Sequence, residues 1–114
     1  MGGLTTHVLD AAHGKPGNGI PLTLHRVSTT RELLVTAVTN SDGRTDSPLL
    51  DDHSQIPGTY ELTFLVAEYF RQNGAISDAA FLDNITLRFT ITDHTHYHVP
   101  LLVSPWSYST YRGS

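Results

Sequence analysis

His94, His96 and His98 alternate along a single stretch of the chain. In an extended strand, alternate residues share a face, so three imidazoles would stand side by side. Two chemistries are open to such a row. Imidazole titrates near neutrality and can take a proton from water without special tuning. A His-x-His pair is also a common zinc pairing, although no third or fourth ligand outside the row can be named from the sequence. The final residues, Tyr111-Arg112-Gly113-Ser114, add a phenol, a guanidinium, a hydroxyl and a terminal carboxylate. Nothing marks a serine nucleophile: there is no Gly-x-Ser-x-Gly elbow, and no carboxylate is placed to orient a Ser–His pair.

These groups can only meet if the end of the chain folds back. Ser104-Pro105-Trp106-Ser107 is the natural turn, with Pro105 preset for its first central position. A two-residue loop then sets Ser104 opposite Ser107, Pro100 opposite Tyr111 and His98 opposite Gly113. One face carries His98, Pro100 and Leu102 beside Ser109, Tyr111 and Gly113; the other carries Tyr97, Val99, Leu101 and Val103 as a core face. Ser114 falls one step from His98. Pro100, Leu102 and Tyr111 would form an apolar patch in water, and such a patch implies self-association.

The rest of the chain supplies a scaffold of the same kind. Ile85, Leu87, Phe89 and Ile91 alternate with Thr86, Arg88, Thr90 and Thr92. Tyr60 to Val66 and Ile20 to Leu24 repeat the pattern, and Leu33 to Thr39 reads as a further strand. In the first strand His7 shares a face with Thr5 and Leu9, opposite Leu4 and Val8. Gly14 to Gly19 and Asn40-Ser41-Asp42-Gly43 are turns. Ala67 to Asn73 is the one helical candidate, with Gly74 as its C-terminal cap. The reading is an all-β, two-sheet antiparallel sandwich of seven or eight short strands with one short helix, in a single domain spanning residues 1–114.

Composition narrows the partners. A formal net charge of −4 argues against nucleic acid and anionic membranes, and no apolar run is long enough to span a bilayer. The absence of cysteine excludes disulfides and thiolate metal sites. No secretory signal is visible at the start, so a cytoplasmic location is expected.

Three segments carry a resemblance. They are Leu4 to Asp10 with Gly14-Lys15-Pro16, then Asp42-Gly43-Arg44, and finally Tyr97 to Leu102 through Tyr108 to Ser114. With Glu68-Tyr69-Phe70, they resemble the transthyretin-related proteins that include the 5-hydroxyisourate hydrolases of purine catabolism. Gly17 departs from that pattern, where alanine is usual, as does Phe81-Leu82-Asp83-Asn84, where an aromatic-proline run is usual; both are expected away from the site. The resemblance implies a transthyretin-like sandwich assembled as a homotetramer, a dimer of dimers with the site in the cleft between dimers. It also implies a cofactor-free, metal-free hydrolase opening the ring of 5-hydroxyisourate. The site residues it implies are His7, Arg44, His98 and Ser114 for catalysis, with His7, Arg44 and Tyr111 holding the substrate and Tyr111 as the pocket floor. Two rivals remain: a transthyretin-like carrier of small ligands without catalysis, and a metal-binding protein using His94, His96 and His98.

Overall fold

The computed structural model describes residues 2–77 and 79–114. In chain order the elements are β1 (Leu4–Thr5), β2 (Val8–Asp10), β3 (Lys15–Pro16), β4 (Pro21–Val27), β5 (Arg31–Val38), β6 (Gly58–Leu65), α1 (Val66–Gln72), β7 (Asn84–Ile91), β8 (Tyr97–His98), β9 (Leu101–Val103) and β10 (Tyr108–Thr110). One four-stranded sheet runs β5-β4-β6-β7; the other runs β10-β9-β2-β3, and the short pair β1-β8 lies alongside. The alternation works as expected. Leu22, Leu24, Tyr60, Leu62, Phe64, Ile85, Leu87 and Ile91 from one sheet share the buried core with Val8, Leu101 and Val103 from the other, and with Tyr97 of β8 and Val99 after it.

The expected antiparallel pairing holds except at two places. β1 pairs with β8 and β2 with β9 in parallel, setting Thr5 beside His98 and Leu9 beside Leu102. Parallel neighbours need a long crossover, and here the whole intervening domain provides it. This pairing brings the first strand's histidine to the last hairpin. The first strand is interrupted at Thr6-His7, although the Thr5 and His7 carbonyls still accept from Val99 N and Leu101 N at 2.9 and 2.8 Å.

At the interruption, Val8 N donates to Gly43 O at 2.8 Å, docking the Asn40–Arg44 turn onto the histidine-bearing backbone. Gly43 has φ 76°, and a Cβ there would lie 2.4 Å from Val8 O; only glycine permits this approach. Gly17 is also closer to the site ribbon than expected. Its N–H bonds Val8 O at 2.9 Å, and an added methyl would fall 2.8 Å from the side chains of Val8 and Ile20, which fill the space where alanine is usual.

Helix α1 begins one residue before its expected start and stops at the expected glycine. Gly74 adopts φ 84°. Ala75 N donates to Phe70 O at 2.9 Å and Gly74 N to Arg71 O at 3.3 Å, the paired bonds of a Schellman ending. The helix buries Val66, Ala67 and Phe70. It is far too short to cross a membrane, and no other helix occurs among the described residues.

Candidate active site

The C-terminal hairpin has the register expected from its turn: Val103 pairs with Tyr108, Leu102 with Ser109 and Leu101 with Thr110. Beyond β10 the chain stays in step, and His98 and Gly113 exchange backbone bonds of 3.2 and 2.6 Å. A side chain at Gly113 would meet the His98 Cβ at 3.1 Å and ring Cδ2 at 3.2 Å. Glycine here lets the tail lie against the imidazole without crowding it. Arg112 clamps the same stretch. Its guanidinium sits 4.2 Å from the centre of the Tyr97 ring, and Nη2 donates to Thr95 Oγ1 at 2.9 Å. Ser114 follows directly.

The His98 ring is half-buried, with Nδ1 2.9 Å from Thr5 Oγ1. Burial lowers its pKa below the ordinary histidine value, and nearby Arg44, His7 and His96 push it in the same direction. Both effects favour the neutral ring. Arg44 reaches the site from its turn. Asn40 Oδ1 accepts from Asp42 N at 2.9 Å and Arg44 N at 3.2 Å, and Asn40 N donates to Arg44 O at 2.8 Å. The space beside Arg44 is a small cavity of about 160 Å³, lined by Thr5, Thr6, Thr45 to Ser47 and Pro48.

Unspent bonding capacity marks these residues. Among the described residues, the His7 ring, the Arg44 guanidinium and His98 Nε2 make no hydrogen bond or ion pair within the chain. Arg44 and His7 lie close enough to His98 to act on its charge, and three such groups with free valence can take a proton, orient a carbonyl and favour developing negative charge.

The structure brings together His7, Arg44 and His98, with Gly113 and Ser114 at the edge. It does not bring Tyr111 into that group. Tyr111 is 60% exposed and lines a larger cleft of about 430 Å³ between β7 and the C-terminal hairpin, with Tyr97, Val99, Tyr108 and Arg112. The expected apolar patch is also reduced: Pro100 is buried and Leu102 half-buried within the chain, leaving Tyr111 exposed, as are Trp106 and Tyr108 of the same hairpin. The row of histidines splits. His94 Nε2 turns to Asp52 O at 2.9 Å, whereas His96 Nε2 and His98 Nδ1 share the Thr5 hydroxyl. No metal-binding group of three His, Asp or Glu side chains forms among the described residues, so the row is not arranged as a ligand set.

Sequence reasoning did not assign Thr5 a role. The alternation that placed it on the face of His7 was the available signal. It also passed over a second cluster: buried Asp10 accepts from Ala12 N and His13 N at 3.0 Å each, from His13 Nδ1 at 2.7 Å and from Tyr69 OH at 2.7 Å.

Comparison with known proteins identifies the family and the fold. The model of the HIUase/Transthyretin family matches residues 4–113. A 5-hydroxyisourate hydrolase of Deinococcus radiodurans is 60% identical, covering 98% of this chain and 96% of its own. Among solved structures, the 5-hydroxyisourate hydrolase of Klebsiella pneumoniae superposes with a TM-score of 0.84 at 32% identity, each chain covered in full. Sea bream transthyretin in complex with thyroxine superposes with a TM-score of 0.86 at 25% identity, covering 96% of this chain and 93% of that one. The chain belongs to the HIUase/Transthyretin family and is, like the relatives it matches end to end, a hydrolase.

Proposed function

We propose that the protein hydrolyses 5-hydroxyisourate to 2-oxo-4-hydroxy-4-carboxy-5-ureidoimidazoline in urate degradation. The observation carrying this reading is a half-buried His98 near His7 and Arg44, whose guanidinium has no partner within the described chain; burial and these neighbours favour the neutral ring. A neutral imidazole takes a proton from water as the oxygen attacks the ring C6 carbonyl. The Arg44 guanidinium offers forked donors to the carbonyl oxygen, stabilising the charge that develops there. The N1–C6 bond breaks as the second imidazole donates a proton to the departing nitrogen and recovers one from the protonated base, so both rings end neutral. Ser114, beside the Gly113–His98 pairing, lies at the rim of this site. We further propose a homotetramer, a dimer of dimers, in which Tyr111 from a neighbouring surface floors the pocket; its exposure, with Trp106 and Tyr108, supports this.

The test is direct. Urate oxidase generates 5-hydroxyisourate, and its ultraviolet decay is followed with and without the protein after chelator treatment. Acceleration that survives the chelator is expected. Decay at the spontaneous rate with the folded protein, before and after the chelator, would favour the carrier reading; acceleration lost only after the chelator would favour the metal-binding one.

A further inference from the structure

We propose that Thr5 is a positioning residue for His98: its hydroxyl, shared with His96, fixes which His98 nitrogen carries the proton and passes charge from the site to His96. The inference rests on the reading of His98 as a base.

The geometry is a three-membered chain. Thr5 Oγ1 lies 2.9 Å from His98 Nδ1 and 3.0 Å from His96 Nε2. A hydroxyl has one proton and two lone pairs, so it donates to one ring and accepts from the other. When it donates to His96, His98 must carry its proton on Nδ1, and Nε2 presents a lone pair to the site. That is the tautomer a base needs. The parallel register that pairs Thr5 with His98 holds the hydroxyl in place.

The same chain can move a proton with nothing left over. Water gives a proton to His98 Nε2. The Nδ1 proton passes to Thr5 Oγ1, and the hydroxyl's original proton passes to His96 Nε2. His98 ends neutral with a proton on Nε2, Thr5 is again a hydroxyl, and His96 is an imidazolium. The charge leaves the neighbourhood of Arg44, which disfavours a second cation. The titratable and charged groups facing His98 are Arg44 and His7 across the site and His96 through Thr5; Arg112 borders His96, donating to its carbonyl at 3.4 Å.

The experiment pairs NMR with kinetics. Full-length protein labelled with ¹⁵N-histidine is compared with Thr5→Val, which keeps the shape and removes the hydroxyl, and Thr5→Ser, which restores it. In the wild type, His98 should show one tautomer, protonated on Nδ1. In Thr5→Val the two tautomers should mix, with kcat falling about ten-fold or more, as when a histidine loses its orienting partner. KM should change little, and the acid limb of the pH–rate profile should move. Thr5→Ser should recover the tautomer and most of kcat. An unchanged tautomer and unchanged kcat in Thr5→Val would overturn the proposal. If His98→Ala retains full turnover, the reading of His98 as base fails instead, while the tautomer spectra still decide the role of Thr5.

Discussion

The first strand supports two histidine clusters, and they use the same residue types to opposite ends. At one end, Asp10 is fully buried and receives four donors, two backbone N–H groups, His13 Nδ1 and Tyr69 OH. At the other, His7, Arg44 and His98 Nε2 have no partner within the described chain. In the Asp10 cluster both carboxylate oxygens are spent on holding α1 and the Ala11–Gly14 turn against β2. Around His98 the scaffold is equally well tied down, but its bonds stop at the backbone and at Nδ1. The pKa directions follow the same division. Burial pushes the Asp10 carboxyl up, but bonds from Tyr69 and His13 outweigh it and hold the group below the usual range. His98 is instead driven toward its neutral, reactive form. A satisfied buried network stabilises a fold; an unsatisfied half-buried one is available to a substrate.

Substitution at the two ends should separate these roles. His98→Ala should lower kcat by at least ~10²-fold, the lower end of general acid–base help, while the melting temperature stays close to wild type. Arg44→Gln should follow with a loss on the order of 10²-fold in kcat/KM, as expected when one oxyanion donor is removed, and again little change in stability. Near-normal turnover in either variant would remove that residue from the proposed chemistry.

Asp10→Asn should reverse the pattern. The amide puts a donor where Tyr69 OH and His13 Nδ1 already donate, so folding stability should drop by about 1–3 kcal/mol. The folded fraction should keep its turnover. Thermal melts beside the ultraviolet assay make the comparison, and an activity loss exceeding the loss of folded protein would mean that Asp10 belongs to the site after all.

What could be read from the sequence was whatever a local rule determines. The Pro105 turn fixed the hairpin register, which in turn placed Gly113 opposite His98. Period-two alternation identified the buried face of β7, and Gly74 marked the end of α1. Contacts between distant segments were not readable in this way. Tyr69 and Asp10 lie 59 positions apart and Thr5 and His96 lie 91 apart, and both contacts depend on how the elements pack rather than on any motif. The parallel insertion of β1 and β2 beside β8 and β9 has no local signal either, because the crossover is most of the domain. Tyr111 shows the limit from the other side. Its place between the Thr110–Leu101 and Gly113–His98 pairings is the one the turn implies, yet its side chain lines the cleft with Tyr97 and Val99.

The smallest expected effect is a pH limb belonging only to the structural cluster. Burial, then the neighbouring Asp10 carboxylate, push the Tyr69 phenol from 10.0 up to about 12. Because the folded value lies above the unfolded one, its contribution is fully present below about pH 10 and is lost as pH rises toward 12. Thermal melts of the wild type should therefore fall across that window. Tyr69→Phe should be less stable at neutral pH by ~1 kcal/mol, one net hydrogen bond, and should lack this part of the alkaline decline. His98 moves the other way. Its lowered value means that activity, if the neutral ring is the base, rises with pH through a midpoint below the ordinary histidine range. Tyr69→Phe should leave that midpoint where it was, since the Asp10–Tyr69 brace on β2 and the His98 ring, held by Thr5 of β1, share no hydrogen bond. A shifted activity midpoint in Tyr69→Phe would show that the two clusters are coupled through β2 rather than merely carried by it.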